Sequence, residues 1–369
     1  MRRFLFLILL LATVNCIAQD SKSFDQLFED FSNDEPGGII LVKKGDKLVY
    51  QHAFGIADIN TKEPIDVHTI LNTGSISKTF VAYGILILEE MGLLSIEDEI
   101  GKYFPDFENK EIANQVKVKH LLSHSSGLPD IRNVRGNQEF FMTAKDAGNF
   151  DPIKKADKLK FQPGEKFEYS NPAFNGLALI IEKVSGKKWQ DFIKEEIFIP
   201  SGMDESYITD GQYPDSGVAH AYYQYGDEWR EYDYGEFPTF TAAGNGGVWC
   251  SISDLLKYES AIQHNVFLSQ EGIDKSRSIL ESENWISTES SSRMGLSWFI
   301  SAKDNPQNIS GKDIIYHTGS QGGFRAFHIS IPEEKILYVA LFNRPVDYST
   351  TLFKAGIEII KANNWYNED

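Results

Sequence analysis

The sequence predicts an α+β fold in which strands from both chain ends share one antiparallel sheet flanked by helices, while the middle forms an all-helical part. Two observations lead there. Apolar runs of strand length occur at residues 39–50 and again at 314–342, and the runs that read as helices lie between them. The chain has 369 residues, 41% hydrophobic and 24% charged, which suits one large domain or two intimate subdomains with an ample core.

In chain order, the first element stands outside the fold. Arg2-Arg3 is a basic n-region, Phe4 to Leu11 an apolar h-region, and Cys16-Ile17-Ala18 a small-residue end before Gln19. Residues 1–18 therefore read as an export signal whose apolar stretch is too short to span a bilayer comfortably. Lipid anchoring through Cys16 ranks second, because Asn15 before it fits that pattern poorly. Residues 19–369 then form a single domain, with a sheet part at about 36–65 and 240–369 and a helical part at about 66–215. Once Cys16 leaves with the signal, Cys250 is alone. No internal disulfide is available, and Cys250, following Val248-Trp249, reads as buried.

Ile39-Ile40-Leu41-Val42 and Leu48-Val49-Tyr50 form a strand pair about Lys44-Gly45-Asp46. Thr69 to Asn72 is extended, and Phe80 to Met91 reads as a buried helix stopped at Gly92. A second helix covers Phe174 to Val184 and stops at Gly186. Tyr222 to Tyr234 alternates about Gly226-Asp227 as a hairpin. Ser253 caps a helix to Gln263. Phe324 to Ile331 and Ile336 to Phe342 are strands joined by Pro332-Glu333-Glu334, and Thr350 to Ala362 is a final helix.

The net charge of −17, with both signs spread along the chain, argues against a nucleic-acid partner and against adsorption to anionic lipid. No later segment is long and apolar enough for stable membrane insertion. The expected location is periplasmic or secreted.

Three short constellations carry chemistry. In Ser75-Ile76-Ser77-Lys78 the serine sits in a first helical turn, where free N–H groups and the helix dipole favour developing negative charge. Lys78 lies one turn along on the same face, and such a contact can activate a hydroxyl nucleophile. In Tyr169-Ser170-Asn171 a phenol and an amide two apart on an extended loop point into one cavity. His317-Thr318-Gly319 ends the strand-like run Ile314-Ile315-Tyr316. Gly319 leaves room for a substrate backbone, and Ser320 offers its N–H beside that of Ser75. His120 and His124, four apart, share a helix face as candidate metal ligands, but no third ligand sits at a diagnostic distance. Arg325 reads as an exposed strand arginine.

The order Ser75-x-x-Lys78, Tyr169-x-Asn171, His317-x-Gly319 resembles the serine β-lactamase-related family, which contains class C β-lactamases, D-alanyl-D-alanine carboxypeptidases, D-aminopeptidases and esterases. His120 to Leu128, Phe161 to Asn171 and Gly244 to Leu255 are similar to further segments of that family, so the resemblance runs from about Pro36 to Asn343. It implies a transpeptidase-like α/β sandwich with a helical subdomain, without metal or cofactor. It also implies roles: Ser75 becomes an acyl ester, Lys78 keeps its proton mobile and lowers the Tyr169 pKa, and Tyr169 is general base and then acid. Asn171 would hydrogen-bond substrate and Lys78. His317 would lie near Tyr169 and the substrate carboxylate, and the N–H groups of Ser75 and Ser320 would bind the oxyanion.

The expected activity is hydrolysis of a small amide or ester, with D-amino-acid peptides and short esters first. His317 stands where many class C enzymes carry lysine, so a weak β-lactamase ranks below these. The alternative from another class is a non-catalytic sensor or binding protein. Substrate choice rests in loops such as 131–157 and the tyrosine hairpin, and the sequence leaves it and the oligomeric state open.

Overall fold

The computed structural model describes residues 22–29, 31–132, 134, 137–232, 241–280, 293–363 and 365. The export signal expected at 1–18 and Tyr234 of the hairpin lie outside these residues.

The strands are β1 (Gly38–Lys44), β2 (Lys47–Phe54), β3 (Leu71–Asn72), β4 (Tyr207–Ile208), β5 (Tyr222–Tyr225), β6 (Glu228–Glu231), β7 (Val248–Cys250), β8 (Arg293–Met294), β9 (Phe299–Ser301), β10 (Ile314–Gln321), β11 (Phe324–Ile331) and β12 (Ile336–Phe342). One antiparallel seven-stranded sheet runs β2-β1-β12-β11-β10-β9-β8, so strands from the two chain ends meet where β1 pairs with β12. A short sheet β3-β7-β4 and the hairpin β5-β6 complete the strands.

Residue alternation explains the layers. Along β12, Leu337, Val339 and Leu341 enter one core, and Ile336, Tyr338, Ala340 and Phe342 enter the other. The second core is closed by the N-terminal helix Lys22–Leu27, through Phe24, and by the C-terminal helix Gly356–Ala362, through Ile357 and Ile360. The first is filled by the helix Ser77–Glu90, buried along its length except for its last two residues. A helix that is apolar on all sides needs neighbours on all sides. Here they are chiefly the helix Asn171–Ser185 and the segments Ala243–Gly246, Trp189–Ile193 and Gln270–Ser276. The result is the expected α/β sandwich with a helical part on one face.

Local details depart from expectation. The helix Ile252–Gln263 is capped by Ser251, whose hydroxyl accepts the Asp254 N–H, rather than by Ser253. Of the extended run, Leu71–Asn72 pairs with β7, and Ile70 makes a single bridge to Val218. The C-terminal helix starts at Tyr348 with wide turns through Ala355 before becoming α-helical. Ser75 occupies a tight turn, Gly74–Ile76, just before the helix. Asn171 is the first residue of its helix, with Ser170 as cap, rather than part of a loop. His317 lies inside β10 and is 1% exposed, not at a strand end.

Candidate active site

The chain leaves β3 at Asn72, whose Oδ1 accepts the Gly74 N–H at 2.8 Å. Thr73 Oγ1 donates to the Val248 carbonyl, and the Ser77 hydroxyl accepts the Val248 N–H, both at 2.9 Å. The turn bearing Ser75 is thus pinned to β7 before the helix starts. Ser75 is 9% exposed at the surface of this turn, and Lys78 is fully buried beneath it.

Lys78 Nζ lies 2.9 Å from Ser75 Oγ and 2.7 Å from the Asn245 carbonyl oxygen, over the rings of Tyr169 and Phe174. Among the described residues no carboxylate pairs with it. Burial, and secondly the positive charge of Arg132, push its pKa well below the ordinary lysine range. In the ammonium form Nζ donates to both Ser75 Oγ and the Asn245 carbonyl oxygen; in the free-amine form one N–H still serves Asn245 and the lone pair accepts the Ser75 proton.

Tyr169 is held by two segments running side by side. Lys160, Gly164 and Glu168 donate backbone N–H groups to the carbonyls of Gly127, Ser125 and His124. His124 takes a positive φ of 57° and accepts the Ser170 N–H on Nδ1 at 3.0 Å, while its ring stacks on Tyr169 at 4.2 Å between centroids. His120 instead accepts the Lys117 N–H, so the two histidines share no helix face. The Tyr169 hydroxyl hydrogen-bonds Ser75. The ring edge leaves the residue 37% exposed, but the hydroxyl end lies inside. That burial raises the phenol above its ordinary range, and the Ser75 bond only partly opposes it. Lys78 is not among the groups that lower the Tyr169 pKa, contrary to expectation; burial dominates it.

Asn171 is 8% exposed and its side-chain oxygen has no partner, so the bond to Lys78 implied by the resemblance is not formed. Lys78 Nζ is directed to Ser75 and Asn245 instead.

His317 is neutral at any ordinary pH: burial, then the charge of Lys78, push it down to about 3. Its Nδ1 lies 2.6 Å from the Thr318 carbonyl oxygen, and its Nε2 has no partner among the described residues. The tautomer with Nδ1–H satisfies both facts and leaves Nε2 as an acceptor. Gly319 is required for a different reason from the one expected. A Cβ there would lie 1.9 Å from the Thr73 carbonyl oxygen and 3.1 Å from the Ser75 nitrogen, so the space is taken by the nucleophile turn. Gly74, at φ 51°, is the reciprocal contact: its Cβ would meet the Ser320 nitrogen at 2.6 Å. The Ser75 and Ser320 backbone nitrogens therefore sit at one seam.

Sequence reasoning missed several neighbours. Arg132, 8% exposed and bonded to Asp130 at 2.7 Å, acts on Lys78 from the 131–157 loop. Asn245, Asn175 and Asp146 line the far side of Lys78. Of these, Asn245 lay in the Gly244 to Leu255 segment and Asp146, like Arg132, in the 131–157 loop, but none was singled out as a residue. Arg325 is 9% exposed and donates to the Tyr223 hydroxyl at 2.7 Å, tying the tyrosine hairpin to the sheet rather than facing solvent.

The arrangement can generate a serine nucleophile beside a buried amine and a phenol. Comparison with known proteins gives the family and the fold. A Bacillus subtilis protein, Penicillin-binding protein 4*, is 28% identical over 355 residues, covering 92% of this chain and 76% of that protein. A D-aminopeptidase of Brucella anthropi is 26% identical over 330 residues, covering 86% of this chain but only 58% of its own length. The crystal structure of a penicillin binding protein from Bacillus halodurans superposes with a TM-score of 0.75 at 23% identity, covering 91% of this chain and 98% of that one. The Beta-lactamase family model matches residues 24–356. With a match across nearly the whole described chain, this protein belongs to the β-lactamase family.

Proposed function

We propose that the protein is an exported serine hydrolase that forms an acyl ester on Ser75 and cleaves a small amide or ester. The observation that carries this reading is the 2.9 Å contact between Ser75 Oγ and a buried, carboxylate-free Lys78 Nζ. Ser75 Oγ attacks the carbonyl carbon while its proton moves to Lys78 Nζ. The oxyanion is held by the N–H groups of Ser75 and Ser320. Collapse breaks the bond to the leaving group, which takes a proton from the Tyr169 hydroxyl, and Lys78 returns a proton to Tyr169. Water then hydrolyses the ester by the reverse sequence. The raised Tyr169 pKa supports a protonated phenol acting through Lys78 rather than a resting phenolate.

D-amino-acid amides and peptides with a free amino end are the favoured substrates, ahead of short esters and of peptides recognised by a carboxylate. The support is His317: a neutral ring with Nε2 open as an acceptor suits an ammonium donor and cannot attract a carboxylate by charge. The same feature ranks efficient β-lactam hydrolysis lower. Intact mass spectrometry after exposure to a fluorophosphonate and to a penicillin, with Ser75→Ala as control, tests the nucleophile. Lack of any Ser75 adduct would move the assignment to a non-catalytic binding protein. Aminopeptide, carboxypeptide and nitrophenyl ester panels then rank the substrates. Mass analysis of the mature N-terminus tests export and separates a cut after Ala18 from lipidated Cys16.

A further inference from the structure

Behind Lys78 lies a buried carboxylate that the reaction itself does not use. Asp146 is 7% exposed, and Asn175, Trp189 and Asn245 are at most 1% exposed. Every polar neighbour of Asp146 is a donor. Oδ1 accepts from Asn175 Nδ2 at 2.6 Å and from the Gly244 N–H at 2.8 Å, and Oδ2 accepts from Trp189 Nε1 at 2.9 Å. Asn175 Oδ1 in turn accepts from Asn245 Nδ2 at 2.7 Å, and the Asn245 carbonyl takes the Lys78 N–H at 2.7 Å. Two arms from Asp146, one through Asn175 and one through Gly244, thus converge on the Gly244-Asn245 turn that holds Lys78. The Trp189 arm leads away from it.

We propose that Asp146 is a positioning residue for Lys78: as a carboxylate it fixes the Asn175 amide and the Gly244-Asn245 turn, and its protonation loosens both. Three donors on two oxygens suit the anion. A protonated Asp146 is a poorer acceptor for the same three donors, so their bonds weaken.

The surroundings put this transition in a useful range. Burial pushes Asp146 up to about 7, against the lowering effect of its three hydrogen bonds, and the nearby Asp210 adds to the rise. The cations on facing elements are engaged elsewhere: Lys145 with Asp210 at 3.0 Å, and Arg132 with Asp130 and Asn149. Lys78, at the far end of the network, is engaged with Ser75 and Asn245, its own pKa well below the ordinary lysine range. Above neutral pH the network is locked and Lys78 is held on Ser75; below it the hold relaxes.

The inference rests on Ser75 being the nucleophile, so its test reads Ser75 directly. The rate of fluorophosphonate labelling is followed by mass spectrometry from pH 5 to 9 in the wild type, Asp146→Asn, Asn175→Ala and Trp189→Phe, each checked for cooperative thermal unfolding. The wild-type rate is expected to step up through neutral pH. Asp146→Asn is expected to lose that step and to label about tenfold more slowly at pH 8. Asn175→Ala should follow it, while Trp189→Phe keeps the step. A wild-type step retained in Asp146→Asn, or lost equally in Trp189→Phe, overturns the inference and leaves the nucleophile assignment standing. Absence of labelling in the wild type removes both. If Asp146→Asn fails to fold, Asn175→Ala against Trp189→Phe decides the question alone.

Discussion

Gly319→Ala should inactivate the enzyme by a purely steric route. The added Cβ would sit 1.9 Å from the Thr73 carbonyl oxygen, 2.9 Å from its carbon and 3.1 Å from the Ser75 nitrogen. An ordinary carbon–oxygen contact is about 3.4 Å, so β10 and the nucleophile turn must separate by roughly 1.5 Å. Neither side yields readily. Thr73 is tied to β7 by its N–H and its hydroxyl, and Gly319 is paired with Ala326 of β11. The displacement opens the seam where the Ser75 and Ser320 N–H groups meet. Loss of one oxyanion donor costs about 100- to 1,000-fold in rate, and a shift of about 1 Å in a reacting group about 100-fold. A fall of at least about 100-fold in ester hydrolysis and in fluorophosphonate labelling is expected. The fold should persist, because the contact is local. A folded Gly319→Ala protein labelling within threefold of wild type would refute the seam as the basis of oxyanion binding.

Other substitutions separate the remaining roles. Lys78→Met should abolish Ser75 labelling, whereas Tyr169→Phe should slow amide cleavage more than labelling, since only amide cleavage needs a protonated leaving group; equal losses in stopped-flow and mass assays would contradict that division. His317→Lys replaces a neutral ring by a permanent cation and should raise the rate of penicillin acylation, read by intact mass; an unchanged rate removes the argument from His317. Arg277→Met leaves the Glu259 carboxylate, 1% exposed, without its two-point partner at 2.7 and 3.0 Å, and should cost about 3–5 kcal/mol in urea unfolding. Glu259 is depressed to about 2 from 4.5, with Arg277 the main lowering influence, so its contribution is complete above about pH 4.5 and is lost as pH falls toward 2. The same titration on Arg277→Met should show a flatter acid limb, and an unaltered limb would count against the pair as its origin.

Much of the fold was legible because strand periodicity is local. The hairpin about Gly45, the alternation of β12 between two cores and the β11–β12 turn at Pro332-Glu333-Glu334 follow from residues near one another in sequence. The apolar run from Phe80 likewise announced a helix buried on all sides. Ser251 shows the limit: two serines two apart offer the same cap chemistry, and only the backbone geometry at Ser251 lets its hydroxyl reach the Asp254 N–H. His124 shows another. Its spacing from His120 suggested a shared helix face, but the helix ends at Leu122 and the backbone turns left-handed at His124.

At the site, the sequence by itself determined which groups are present and in what order: Ser75 one turn before Lys78, a Tyr-x-Asn pair, and a His-x-Gly strand. The tertiary structure decided their chemical states. Lys78 has a depressed pKa because distant segments bury it, with no carboxylate among the described residues paired to it, and set Arg132 beside it. Tyr169 stays protonated because its hydroxyl end is enclosed, and His317 is neutral for the same reason. Gly319 serves the approach of the Ser75 turn rather than of substrate. The physical reason is common to all of these. Desolvation and contact depend on what the rest of the chain packs against a residue, and residue spacing carries no record of that.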